Sequence, residues 1–210
     1  MIYAIGDIHG KYDKFMELRD RLPILTKKDI LVFLGDYIDR GPDSKKVIEA
    51  MIQTAKHYNC VHLKGNHERM LIDYQEGIFE NFWLSNGGYA TLNSYEASVP
   101  YTKKEIPKEH LNFIANTLLY YVTEDYLFVH AGIDPYKDNL DSQTADDLLW
   151  IRDTFLMYPH KLDKIIVYGH TPTENFKPRI HEDKIGLDTA ACFGGRLTCM
   201  RFPDQKYWQA

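Results

Sequence analysis

A chain of 210 residues, 44% hydrophobic and 26% charged, carries enough apolar material for a real core and fits one domain spanning 1–210. No stretch is long and apolar enough to span a membrane. A net charge of −5, with no lysine/arginine run beyond two residues, speaks against a nucleic-acid footprint, which needs a basic stripe. Cys60, Cys192 and Cys199 cannot all pair and form no Cys-x-x-Cys, so they read as small buried hydrophobes in a reducing compartment. With no leader-like N-terminus, cytoplasmic residence is expected.

Residues 1–6 run apolar up to a glycine, as a short buried strand does. Lys11–Arg21 carries Phe15 and Leu18 at helical spacing, with Leu22 continuing the face. Asp29–Gly35 is a second buried strand. Pro42 and Asp43 then precede a helix over Ser44–Tyr58, whose stripe is Val47, Ile48, Met51, Ile52 and Ala55. Cys60–Leu63 is a third strand. Residues 66–118 predict a mostly helical, aromatic-rich segment, interrupted at Asn86-Gly87-Gly88, Pro100 and Pro107. Leu119–Val122 and Tyr126–Val129 flank a Thr-Glu-Asp turn as strands, 142–157 predicts a helix, and Lys164–Tyr168 a strand. Short strands broken by glycines fill 178–208. Helices outside two packed sheets fit this order.

Five motifs stand at the ends of predicted strands or just beyond them: Gly6-Asp7-Ile8-His9-Gly10, Gly35-Asp36-Tyr37-Ile38-Asp39-Arg40-Gly41, Gly65-Asn66-His67-Glu68, His130-Ala131-Gly132 and Gly169-His170-Thr171. That edge is where open α/β sheets bind ligands. Asp7 and His9 are two apart, so a strand directs both to one ion. Alone, Asp-x-His is more often a loop aspartate beside a surface histidine. Asp36 follows four apolar residues and needs a partner there; between two cations its two oxygens can bridge. Asn66, His130 and His170 add neutral ligands beside small residues that let backbone and ion approach closely. A lone His130 would ordinarily be a hydrogen-bonded core histidine; its place in the ordered set reverses that reading.

Two divalent cations bring four positive charges, and Asp7, Asp36 and a bridging hydroxide return three. Arg40 and Arg152 raise the remaining +1 to about +3, a trap for a phosphate dianion despite the acidic chain. Phosphate esters demand rate gains of up to about 10²¹-fold. Two metals roughly 3.5–4 Å apart suit the task, generating a hydroxide near neutral pH and holding phosphoryl oxygens in line. His67 adjoins Asn66 and cannot readily aim at the same ion, so it is assigned as general acid, with Asp39 orienting its ring. Glu68 is expected to support the turn.

These motifs resemble the signature of the phosphoprotein phosphatase family within calcineurin-like metallophosphoesterases, and their intervals are similar to the family's. His130-Ala131-Gly132, Gly169-His170-Thr171, and Asp188-Thr189 followed by Phe193-Gly194-Gly195 fall in family order. The resemblance implies a four-layer α/β/β/α sandwich of two mixed sheets flanked by helices. It implies one metal held by Asp7, His9 and bridging Asp36, and a second held by Asp36, Asn66, His130 and His170. It likewise implies His67 as acid supported by Asp39, with Arg40, Arg152 and Asn66 on the substrate phosphate. Manganese is the ion it suggests, with iron and zinc in other members. One departure is visible: Ala190 and Ala191 stand where bacterial members often read Gly-Ala, and alanine disfavours a positive φ at 190.

The expected activity is therefore hydrolysis of phosphoserine and phosphothreonine in proteins, by in-line attack of a dimetal-bound hydroxide. A symmetric diadenosine tetraphosphate hydrolase is the alternative. Chain length leans toward the former, and the latter needs an aromatic platform for adenine, which tyrosines around 89–101 offer. A nuclease lacks its basic channel, and a non-catalytic binding scaffold conflicts with an intact ligand set. Trp83, Asn86, Gly87 and Gly88 either line a substrate rim or close a helical hairpin. His57, His62, His110, His160 and His181 read as packing or surface residues, and Lys45-Lys46 and Lys103-Lys104 as solvated positions.

Overall fold

The computed structural model describes residues 1–95 and 105–210. Pro100, Tyr101 and Lys103-Lys104 lie outside the described residues. Three short apolar runs form parallel strands β1 (Ile2–Ile5), β2 (Ile30–Phe33) and β3 (Asn59–His62). A second sheet contains β4 (Tyr120–Val122), β5 (Tyr126–Val129), β6 (Ile165–Tyr168), β7 (Arg179–Ile180) and β8 (Lys184–Gly186) in the order β4-β5-β6-β8-β7. β9 (Thr198–Phe202) returns antiparallel to β1 and carries β10 (Tyr207–Gln209) at the edge, giving β10-β9-β1-β2-β3. Both sheets are mixed.

Strand alternation sorts the core into layers. Ala4, Val32, Phe128, Val167, Ile185, Met200 and Phe202 point inward and pack the two sheets face to face. Their neighbours Tyr3, Ile5, Leu31 and Phe33 point outward and are covered by α1 (Tyr12–Arg21) and α2 (Ser44–His57), through Phe15, Leu18, Val47, Ile48 and Met51. Leu127, Val129, Ile166 and Tyr168 do the same on the other sheet, under α7 (Ala145–Trp150) and α8 (Asp153–Met157). Full burial of each such side chain contributes about 1.5–3 kcal/mol. This is the predicted four-layer α/β/β/α sandwich.

The segment between β3 and β4 is helical where described: α3 (Asn66–Gln75), α4 (Glu80–Trp83), a wide turn at Leu84–Gly88, α5 (Tyr89–Ser94) and α6 (Lys108–Ala115). Gly87, at φ 113°, makes the bend between α4 and α5, which a side chain would strain. The helix expected over 142–157 is two helices instead. A Thr144/Asp147 capping box starts α7, and Ile151 is extended at ψ 142° before α8 begins. The predicted α2 stripe ends early, since Ala55 is exposed. Among the described residues no helix is long and apolar enough to cross a membrane.

Candidate metal and catalytic site

Each parallel strand delivers its motif to one edge of the sandwich: β1 to Asp7 and His9, β2 to Asp36, β3 to Asn66, β5 to His130, and β6 to His170. All six are buried. The backbone is left-handed at His9, Asp36, Asp39, Arg40 and His170, with φ of 45°, 52°, 70°, 65° and 60°. Non-glycine residues in that region cost roughly 1–3 kcal/mol each, a strain that concentrates at functional sites.

Two groups of side chains converge closely enough to hold an ion. Asp36, His130 and His170 form one, and His9, Asp36 and His67 the other, each with ligand atoms within 4.8 Å of one another. Asp36 belongs to both, as a bridging carboxylate must. Its Oδ2 lies 3.3 Å from His9 Nε2 and its Oδ1 3.4 Å from His130 Nε2. The imidazole partners are set from behind: His9 Nδ1 donates to the Ile38 carbonyl and His130 Nδ1 to the Leu34 carbonyl, both at 2.8 Å. A neutral ring so oriented turns a lone pair at Nε2 into the site, which is how metal-ligating histidines are fixed.

His130 Nε2 lies 2.9 Å from Asn66 Oδ1, and His170 Nδ1 lies 3.0 Å from the same oxygen. Burial lowers the proton affinity of His130, and burial followed by the neighbouring His130 pushes His170 down to about 2. With His130 neutral and its proton on Nδ1, its Nε2 lone pair faces the Asn66 oxygen, two acceptors that a divalent cation would reconcile. Burial alone raises the Asp36 carboxyl, but His130, His67 and His9 hold it well below the usual range. The donor set of carboxylate, amide oxygen and imidazole fits divalent ions of the first transition row.

Asp7 joins neither three-residue group. Its carboxylate accepts the His170 backbone N–H at 2.9 and 3.2 Å, and burial, then Asp188 and Asp36, raise its proton affinity well above the usual range. Gly169 makes room for it, because a Cβ there would stand 2.1 Å from Asp7 Oδ1.

His67 Nδ1 donates to Asp39 Oδ2 at 2.6 Å, the pairing expected from the motif. Its Nε2 is 3.9 Å from Asp36 Oδ2, which is why it enters the His9 group. Sequence reasoning missed what holds Asp39. Trp83 Nε1 donates to Oδ2 at 2.8 Å and Thr91 Oγ1 to Oδ1 at 2.6 Å, while Thr91 and Ser44 accept its backbone N–H at 2.9 and 3.1 Å. Trp83 is thus buried behind the site and not on a rim, with Gly88 packed on its ring. Glu68 accepts three backbone N–H groups, from Asp36, Tyr37 and Gly65, and supports the turn as expected.

Arg40 is exposed. Its Nη1 reaches His9 Nε2 at 2.9 Å and its guanidinium lies 5.1 Å over the ring of Phe193, whose segment falls in family order but whose contact with Arg40 was not foreseen. Arg152, also exposed, stands in the break between α7 and α8, and its charge is felt at His170. Asp188, two residues beyond β8, is a further buried carboxylate close enough to Asp7 to raise its proton affinity. Ala190 adopts φ 63° despite its Cβ, at a cost of about 1–2 kcal/mol. His62 turns away from the site and stacks on Phe33 at 5.0 Å; Tyr95 is tied to His110 at 2.9 Å and Tyr89 is exposed.

The profile of the calcineurin-like phosphoesterase family matches residues 1–199. A bis(5'-nucleosyl)-tetraphosphatase PrpE (asymmetrical) of Anoxybacillus flavithermus is 30% identical, over 98% of this chain and 92% of its own. Among solved structures, a provisionally assigned diadenosine tetraphosphatase superposes with TM-score 0.74 at 21% identity, over 100% of this chain and 92% of the other. A Saccharomyces cerevisiae serine/threonine phosphatase with similarity to human PP5 gives 0.62 at 17%, over 100% and 78%. Extending over nearly the whole chain and all five motifs, the match shows that this protein belongs to the calcineurin-like phosphoesterase family.

Proposed function

We propose that this protein hydrolyses dinucleoside tetraphosphates, cutting the phosphate bridge off-centre to a nucleoside monophosphate and a nucleoside triphosphate. The observation that carries the reading is the 30% identity to a tetraphosphatase over 98% of the chain, together with the intact Asp36-centred ligand set. Chain length, which favoured a protein phosphatase, loses its weight, since that relative is matched over 92% of its own length. That relative is named for asymmetrical cleavage, where the alternative drawn from the motifs was the symmetric kind.

Two divalent ions, when bound, supply Lewis acidity and a water of low pKa. Asp7, His9 and Asp36 are proposed to hold one, and Asp36, Asn66, His130 and His170 the other; manganese is the ion carried forward from the family resemblance. Arg40 and Arg152 flank the ligands and bind phosphate oxygens, whose charge they match as planar forks. Asn66 orients the phosphoryl group beside them. His67, aligned by Asp39, protonates a departing oxygen in proportion to its basicity, strongly for an alkoxide and little for the phosphate released from a dinucleotide.

Metal-stripped protein supplied with manganese is assayed on diadenosine tetraphosphate and on a phosphothreonine peptide under identical conditions. The expected result is preference for the dinucleotide, with AMP and ATP as products. Two ADP molecules would restore the symmetric reading, and preference for the peptide would reinstate the protein phosphatase.

A further inference from the structure

Next to the metal groups, α3, α4 and α7 enclose a cavity of about 330 Å³ that no motif predicts. Its size is that of a small-molecule site. One wall is aromatic: the Phe82 and Trp150 rings stand 6.1 Å apart at 44°, and Phe79 lines the mouth. Trp150 meets His170 edge-on at 6.4 Å, so the cavity opens where the candidate ligand set ends. Behind it lies Trp83, whose indole N–H holds Asp39.

The phenylalanines are unlike core residues. Phe79 is 77% exposed and Phe82 50%, and Phe79 keeps a left-handed backbone at φ 50°, strained for an aromatic residue. Asp73, Asp146 and Arg69 line the same cavity, and Arg69 Nε holds Asp73 Oδ1 at 2.8 Å, which leaves Asp146 as the acceptor for an incoming ring. A neutral ring bearing an amino group donates to such a carboxylate. Flat aromatic walls, an acidic acceptor and contact with the phosphate-binding edge together describe a nucleobase subsite.

We propose that this cavity binds one adenine of the dinucleotide, stacked against Phe82 and Trp150 with its amino group toward Asp146. The inference rests on the proposed activity and replaces the tyrosines around 89–101 as the platform.

The test compares wild type with Phe82→Ala on diadenosine tetraphosphate and on p-nitrophenyl phosphate, which has no base. Loss of one stacking partner should raise KM for the dinucleotide about 5- to 150-fold and leave p-nitrophenyl phosphate turnover unchanged. Equal effects on both substrates, or no effect on the dinucleotide, overturn the proposal. Binding of adenosine, followed by quenching of tryptophan fluorescence, tests the pocket separately from the reaction. If wild type cleaves p-nitrophenyl phosphate but not the dinucleotide, the proposed activity fails. Saturable quenching that Phe82→Ala abolishes then still supports a base site, and its absence overturns it.

Discussion

Replacing His67 by asparagine separates two roles that the geometry places on one ring. Nδ1 lies 2.6 Å from Asp39 Oδ2, as in a proton donor held by a carboxylate, while Nε2 lies 3.9 Å from Asp36 Oδ2, within range of a shared ion. As an acid, His67 matters in proportion to the basicity of the leaving group. Proton donation contributes about 10²–10⁴-fold when an alkoxide departs. A phosphate leaving group ionises near pH 6 and needs little protonation. His67→Asn should therefore lose about 10²–10⁴-fold on a phosphothreonine peptide and at most about 10-fold on p-nitrophenyl phosphate and diadenosine tetraphosphate. Both metals should remain. The assay is turnover on the three substrates with metal content per chain measured on the same preparations. Equal losses on all three, or the release of one ion, would refute the acid assignment and make His67 a ligand. Asp36→Asn, the control, should empty the site.

Three further outcomes follow from particular contacts. Thr91→Val strips the donor from Asp39 Oδ1 in a buried site and should cost about 1.5–3 kcal/mol in urea unfolding; a change under about 0.5 kcal/mol contradicts the role given to Thr91. Gly169→Ala places a Cβ 2.1 Å from Asp7 Oδ1, whereas Leu34 is 3.6 Å away, so the carboxylate must move while the fold survives. Metal affinity should fall about 10–100-fold, read by equilibrium dialysis. Burial pushes His62 down to about 4, below its unfolded value near 6.5. The unfolded chain takes that proton first, so this contribution is complete above about pH 6.5 and shrinks as pH falls toward 4. Between pH 7 and 5 it amounts to about 2 kcal/mol, and His62→Phe should flatten the stability–pH curve by that amount.

The candidate ligands were legible because each follows a short apolar strand by one to four residues, and local chain geometry then carries it to the sheet edge. Which of Tyr3, Ala4 and Ile5, or of Leu31, Val32 and Phe33, face the opposite sheet and which face helices was not legible, because an apolar run buried on both faces shows no period. Periodicity ran out at 142–157, where an apolar pattern continuous enough for one helix is broken at Ile151 and Arg152.

Partnerships made far along the chain left no local mark. Trp83 and Thr91 reach Asp39 from 44 and 52 residues away, and Phe193 stacks on Arg40 from beyond the last ligand. The sequence by itself determined the order of strands and helices, the ligand types and their arrival at one edge, because these depend on neighbours within a few residues. Only the tertiary structure decided which tryptophan holds Asp39 and which stands beside His170. Trp83 and Trp150 carry the same indole, and burial behind Asp39 or partial exposure beside His170 is settled by what packs against each.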